Sequence, residues 1–193
     1  MKSYIVVALV AVCCLGLNVA LAQTYGDVPF SVDVSGAPLL VTVNTGIDIA
    51  GLSQGTTQTI TPDGAGGALE PALTNPPLNG NFSVNSVGDI DITGDPGAQV
   101  LISFALPTFL FGSGGGAGGV LVSYNGSSAC VVDVNTAEVY YFDPRVGTRT
   151  FLDPTGGATK VYLGGIFTVE ANSAADIYVG DAVITVSYVG STP

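Results

Sequence analysis

The feature that most constrains this chain is a two-residue apolar rhythm with no helical spacing to compete with it. Near the C-terminus, Ala182, Ile184, Val186 and Tyr188 alternate with Val183, Thr185, Ser187 and Val189. Successive side chains of a strand point to opposite faces, so one set is directed inward and the other outward. Where both sets are apolar, as at Val183 and Val189, both faces are expected to be covered or to meet a partner. The same rhythm runs through Val28, Phe30, Val32 and Val34, through Leu39, Val41 and Val43, and through Phe82 and Val84. It returns at Ile90 and Ile92, at Val100, Ile102 and Phe104, at Tyr140 and Phe142, and at Val161 and Leu163 followed by 166–169. Pro62-Asp63-Gly64, Gly94-Asp95-Pro96-Gly97, Asn125-Gly126 and Asp153-Pro154 place turn residues between the runs. The pattern predicts an all-β chain of roughly nine or ten strands folded as one β sandwich. The longest stretches without a strand pattern are 63–79 and the glycine-rich 112–119.

The first residues add an address. Met1-Lys2-Ser3-Tyr4 carries one positive side chain, residues 5–17 are almost wholly apolar, and Ala20-Leu21-Ala22 precedes Gln23. This is the three-part pattern of a secretory signal peptide. The apolar stretch is short of the roughly 20 residues a membrane span needs. Asn18 interrupts it, and no basic cluster follows. Cys13 and Cys14 raise the question of a lipid anchor, but Val12 stands where a small residue is wanted. The expected organisation is a signal peptide over 1–22 and a single β-sandwich domain over 23–193. Residues 23–35 read as an N-terminal extension or donor strand. The expected location is the periplasm, the cell surface or the extracellular space, with no transmembrane segment in the mature chain.

Charge narrows the partners. The formal net charge is −11, from 15 acidic and 4 basic side chains. Loss of Lys2 with the signal leaves only Arg145, Arg149 and Lys160. Nucleic acid is excluded as a partner, because phosphate neutralisation needs many cations. Mutual repulsion keeps such an exported chain in solution.

The chain has no His and no Trp. The commonest general base and metal ligand is therefore missing, and neither a Ser–His nor a Cys–His nucleophile can be built. Paired carboxylates remain a route to glycoside hydrolysis, with Asp89, Asp91, Glu138, Asp143 and Asp153 as candidates. Their strand and turn contexts account for them without catalysis, so the expectation is a non-enzyme. Asp89-Ile90-Asp91-Ile92-Thr93-Gly94-Asp95 resembles the opening of a calcium loop, which makes Asp89, Asp91 and Asp95 weak metal candidates. Val100 stands where such a loop closes with Glu. No cofactor is expected. The run 112–119 is followed by a strand and has no Lys nearby, unlike a phosphate-binding loop. It reads as a flexible connection. Asn81-Phe82-Ser83 and Asn125-Gly126-Ser127 fit the short glycosylation pattern and receive no function. Cys130, left alone once Cys13 and Cys14 depart, reads as a small buried side chain on a strand. The competing reading is an intermolecular disulfide or a reactive thiol. A second function class is a carbohydrate- or surface-binding module, with Tyr124, Tyr140, Tyr141 or Tyr162 as exposed stacking platforms. The lack of Trp weakens it.

Several stretches carry a family resemblance. Pro38-Leu39-Leu40-Val41-Thr42-Val43 leads to Gly51-Leu52-Ser53-Gln54-Gly55-Thr56-Thr57 and Pro62-Asp63-Gly64, then Ile92-Thr93-Gly94-Asp95-Pro96-Gly97-Ala98. Leu163-Gly164-Gly165-Ile166-Phe167-Thr168-Val169 leads to Tyr178-Val179-Gly180 and the strand ending at Tyr188. Together they resemble a bacterial secreted family known as domain of unknown function 4402. Ile47-Asp48-Ile49-Ala50 departs from that family's aromatic-Gly step. Gly180, Ala182, Ile184, Val186 and Tyr188 also resemble the last strand of chaperone–usher pilus subunits. That likeness implies an immunoglobulin-like antiparallel β sandwich of Greek-key type, a donor strand such as residues 27–34, and assembly through Val28, Phe30, Val32, Val34, Ala182, Ile184, Val186 and Tyr188. The partners it implies are identical or related subunits and a periplasmic chaperone.

Overall fold

The computed structural model describes residues 37–69, 83–133 and 136–190. The chain divides into two units, residues 1–35 and residues 36–193. The expected signal peptide with Cys13 and Cys14, the segment 28–34, and Asn81-Phe82 lie outside the described residues.

Within the second unit, every described element is a strand, and each hydrogen-bonded pair of strands is antiparallel. A five-stranded sheet has the order β1 (Leu40–Thr45), β6 (Gly88–Thr93), β13 (Ala158–Leu163), β10 (Ala129–Val132), β11 (Val139–Phe142). A three-stranded sheet has the order β12 (Thr148–Phe151), β7 (Gln99–Ala105), β16 (Val183–Tyr188). A six-stranded sheet has the order β15 (Tyr178–Val179), β8 (Phe109–Gly112), β9 (Gly119–Ser123), β14 (Gly165–Val169), β3 (Thr57–Pro62), β4 (Ala68–Leu69). A ribbon of β2 (Asp48–Ala50) and β5 (Ser83–Ser86) completes the set. No described helix is long and apolar enough to cross a membrane, which leaves the case of a membrane β-barrel untouched.

The sandwich has two cores rather than one, and the five-stranded sheet takes part in both. Ile90, Ile92, Val131 and Val161 on one of its faces pack with Val100, Ile102 and Leu152. On the other face Cys130, Val132 and Tyr162 pack with Ile60, Val120, Val122, Phe167 and Val169 of the six-stranded sheet. This explains β10, where all four residues are buried. A strand covered on both faces needs apolar residues in both phases. The period of two sorts the neighbours likewise: Val161 enters one core and Tyr162 the other.

The turns carry their own bonds. Asp63 Oδ1 accepts from the amides of Ala65 and Gly67 at 2.7 and 2.9 Å, closing the tip between β3 and β4. Asp153 accepts from Thr155 N and Gly156 N at 3.1 and 2.7 Å, and so shapes the link from β12 to β13. Short Asp side chains do this readily, because they reach their own backbone two residues on.

Candidate functional site

The last strand of the three-stranded sheet carries the assembly residues read from the sequence. β16 pairs with β7 in an unbroken register from Val183↔Ala105 to Tyr188↔Val100. Among the described residues its other edge has no ladder partner. Ile184, Val186 and Tyr188 point inward and are half-buried against the core shared with the five-stranded sheet. Val183, Thr185 and Ser187 point outward and are exposed. Ala182 is exposed and stands just ahead of the strand.

β1 is likewise an edge strand, and it shares this core. Leu39 and Val41 are half-buried in it, while Val43, in the same phase, is 61% exposed. A single side chain joins the two edges at one end. The Tyr188 hydroxyl accepts from Asp95 N at 2.8 Å and donates to Ala37 O at 2.9 Å. A Cβ at Gly94 would meet both Leu39 and that hydroxyl, so the turn residue must be small there. Away from this pin, β1 and β16 run toward Val43 and Val183, both largely exposed. The site is thus a strand edge with a half-covered apolar row, closed at the Tyr188 end.

No family model matches this chain, and no curated protein matches it significantly in sequence. What the site can do must therefore be argued from its residues.

The weak metal candidates separate into two places. Asp89 and Asp91 lie side by side on the face of β6 away from Ile90 and Ile92, where Lys160 of β13 reaches between them. Its Nζ is 2.6 Å from Asp91 Oδ1 and 3.3 Å from Asp89 Oδ1. Asn44 Nδ2 donates to Asp91 Oδ2 at 2.9 Å and to Asp89 Oδ1 at 3.3 Å. The hydrogen bond from Lys160, then that from Asn44, holds the Asp91 carboxyl below its ordinary value. The same bond from Lys160 to Asp91 raises the ammonium above its own. One ammonium and one amide already occupy these oxygens. Asp95 turns away to accept from Ala37 N. Among the described residues no three Asp, Glu, Cys or His side chains are gathered as a metal would need.

The remaining carboxylates work locally. Asp143 and Arg145 form a two-pronged pair, with Nη2 2.6 Å from Oδ2, in the turn after β11. Glu138 accepts from the Tyr140 hydroxyl. Of the four tyrosines considered as stacking platforms, Tyr124 and Tyr162 are buried, and burial pushes the Tyr124 phenol up to about 12. Tyr140 and Tyr141 are exposed, but as neighbours on β11 they face opposite sides of the sheet. Cys130 is fully buried, and burial, with Asp63 nearby, pushes its thiol up to about 12. The buried reading of this thiol matches the structure.

The glycine-rich run 112–119, read as a flexible connection, is bonded along its length to 173–177. Ser113 N donates to Ile177 O at 2.8 Å, Gly114 N to Asp176 Oδ2 at 2.8 Å, Ala174 N to Ala117 O at 2.8 Å, and Ser173 Oγ to Gly119 O at 2.8 Å. The glycines serve close approach: a Cβ on Gly118 would sit 2.6 Å from Ser173 Cα. Asn125 uses its side chain inside its own turn, accepting from Ser127 N at 2.8 Å.

The sequence reading did not single out Phe109 and Phe111. They lie on the outer face of the six-stranded sheet with ring centroids 4.9 Å apart. The signal available was Phe109-Leu110-Phe111, an apolar alternation too short to stand out beside the glycine run.

Proposed function

We propose that this chain is an exported, non-catalytic structural subunit of the cell surface, fimbria- or pilus-like, that assembles by β-strand addition along β16. The observation that carries the reading is that, among the described residues, β16 has no ladder partner on its edge away from β7, and that Ile184 and Val186 form a half-buried apolar row there. An added strand gains main-chain hydrogen bonds from the edge and specificity from alternate side chains. Residues 27–34 suit that role. Val28, Phe30, Val32 and Val34 form one apolar row, and burying each contributes about 1.5–3 kcal/mol. Eight residues of extended chain span about 26 Å, enough to follow the six residues of β16.

The finer fold reading belongs to the same proposal. Antiparallel sheets whose neighbours are distant in sequence, such as β1 with β6 and β6 with β13, suit an immunoglobulin-like, Greek-key sandwich. Membership of a family like domain of unknown function 4402 and kinship with pilus subunits are part of this proposal, as is a signal peptide over 1–22 removed on export. The partners are then identical or related subunits and a periplasmic chaperone that covers the edge before assembly.

The test is size-exclusion chromatography and urea denaturation of the chain from Gln23, with and without residues 23–35. Loss of oligomers on deletion supports the proposal, above all if a peptide of residues 27–35 then binds the deleted form. Unchanged oligomeric state and stability overturn it. A monomer that merely loses stability on deletion also overturns it, since the segment then closes its own sandwich.

A further inference from the structure

Among the described residues, the outward-facing positions of β3, β14, β9, β8 and β15 carry no charged side chain. Register fixes the members of this face. Thr57 and Thr59 of β3 oppose Thr168 and Ile166 of β14, which oppose Leu121 and Ser123 of β9. Leu121 opposes Phe109 of β8, and Phe111 opposes Val179 of β15. The inward phase of the same strands holds Gln58, Ile60, Val120, Val122, Phe167 and Val169, all buried. On the outward phase Phe111 is 68%, Val179 55% and Leu121 46% exposed, and Ile177, one step before β15, is 72% exposed. Contiguous exposed apolar surface of this kind marks an interaction site rather than ordinary surface scatter.

We infer that this face is a self-association surface on which two copies of the chain pack sheet to sheet. Charge selects the occupant. Each copy from Gln23, with 15 acidic and 3 basic side chains, carries −12, so two copies repel wherever carboxylates meet, and the described positions of this face present none. The polar side chains are hydroxyls that can satisfy one another, as Thr57 and Thr168 already do with oxygens 2.9 Å apart. A sugar polymer is a poorer match, because the Phe109 and Phe111 rings are inclined by 63° and make no flat platform. An anionic partner finds no cation on the face. Area sets the strength. Five strands of two to six residues, spaced about 4.8 Å apart and rising about 3.4 Å per residue, give a two-copy interface of about 700 Å2, small for a stable complex. The dimer is therefore weak and reversible, and salt strengthens it by screening the repulsion between copies. This contact is separate from the β16 edge, which belongs to a different sheet.

Sedimentation velocity of the chain from Gln23, over about 5–500 µM to bracket a weak interface, tests it at low and high NaCl. The expected result is a monomer–dimer equilibrium that tightens with salt. Phe111→Asp and Val179→Asp each weaken it at least about tenfold, with unchanged circular dichroism. Phe151→Asp, at a 64% exposed position on the three-stranded sheet, leaves it intact. A monomer throughout the range overturns the inference. So does association that Phe111→Asp and Val179→Asp leave unchanged, or association lost equally in Phe151→Asp. Dimers that disappear only on removing residues 23–35 also overturn it, and assign association to the β16 edge instead.

Discussion

Two glycines of the 112–119 run separate the requirements that a glycine can meet. Gly115 has φ +72° with nothing within 4 Å of an added Cβ, whereas Gly118 has φ +78° with Ser173 Cα at 2.6 Å and Ser173 N at 2.8 Å. At Gly115, Ala pays only for the left-handed backbone, about 1–2 kcal/mol. At Gly118 it must also displace main chain that is itself bonded, since Ser173 N donates to Glu170 O at 3.1 Å and Ser173 is buried. Gly118→Ala should therefore cost at least about twice as much as Gly115→Ala, in the range where single changes are diagnostic. Urea denaturation of the two variants side by side checks it, and equal losses would show that the run yields freely. The sequence could not reveal this difference, because both residues belong to the same low-complexity string. Cys130 was legible for the opposite reason. Its neighbours Ala129, Val131 and Val132 are apolar in both phases, and burial follows from that pattern alone.

At the scale of elements, strands were readable where an apolar phase alternates with a polar one, as in β6, β7 and β16. β3 was not, because its buried phase places Gln58 beside Ile60, with buried Thr56 just ahead of the strand. β12 was hidden similarly, with Phe151 on the outward, exposed phase. The paired acidic residues of β6 were legible as a polar phase, but their partner was not. Lys160 lies 71 residues from Asp89 in sequence, and only the β6–β13 register brings it across. That register makes a pH prediction. Asp91 is held below its ordinary value of 3.8, chiefly by the hydrogen bond from Lys160. A depressed carboxyl stabilises the fold above the unfolded pKa, and the contribution is lost as pH falls through the lower folded value. Lys160 is raised above 10.5 chiefly by Asp91, so its share fades as pH rises through the higher folded value. Lys160→Met should thus destabilise most between these limits and least in strong acid or strong base. Because Lys160 and Asp91 are 37% and 38% exposed, the neutral-pH loss should stay below about 1 kcal/mol. Urea midpoints of both proteins at neutral and acid pH measure the difference. A loss that persists undiminished below the carboxyl range would point to packing of the lysine stem instead.

For the whole molecule, charge balance sets how the described fold responds to salt. Fifteen acidic side chains face four basic ones. The ion pairs among the described residues involve Arg145 with Asp143 and Lys160 with Asp89 and Asp91. Those pairs are partly exposed and contribute little. The carboxylates they leave over repel one another across the surface, at distances where salt screens well. Added NaCl therefore removes more repulsion than attraction, and the melting temperature should rise between about 10 mM and about 0.5 M. The effect must be separated from dimer formation, because self-association also raises apparent stability with concentration. Phe111→Asp at low protein concentration does so: its melting temperature should still rise with salt, by a similar amount at each concentration. A melting temperature that falls with salt would mean that the few ion pairs outweigh the acidic surplus. A rise seen only in the wild-type protein at high concentration would trace the whole response to pairing of the uncharged sheet face.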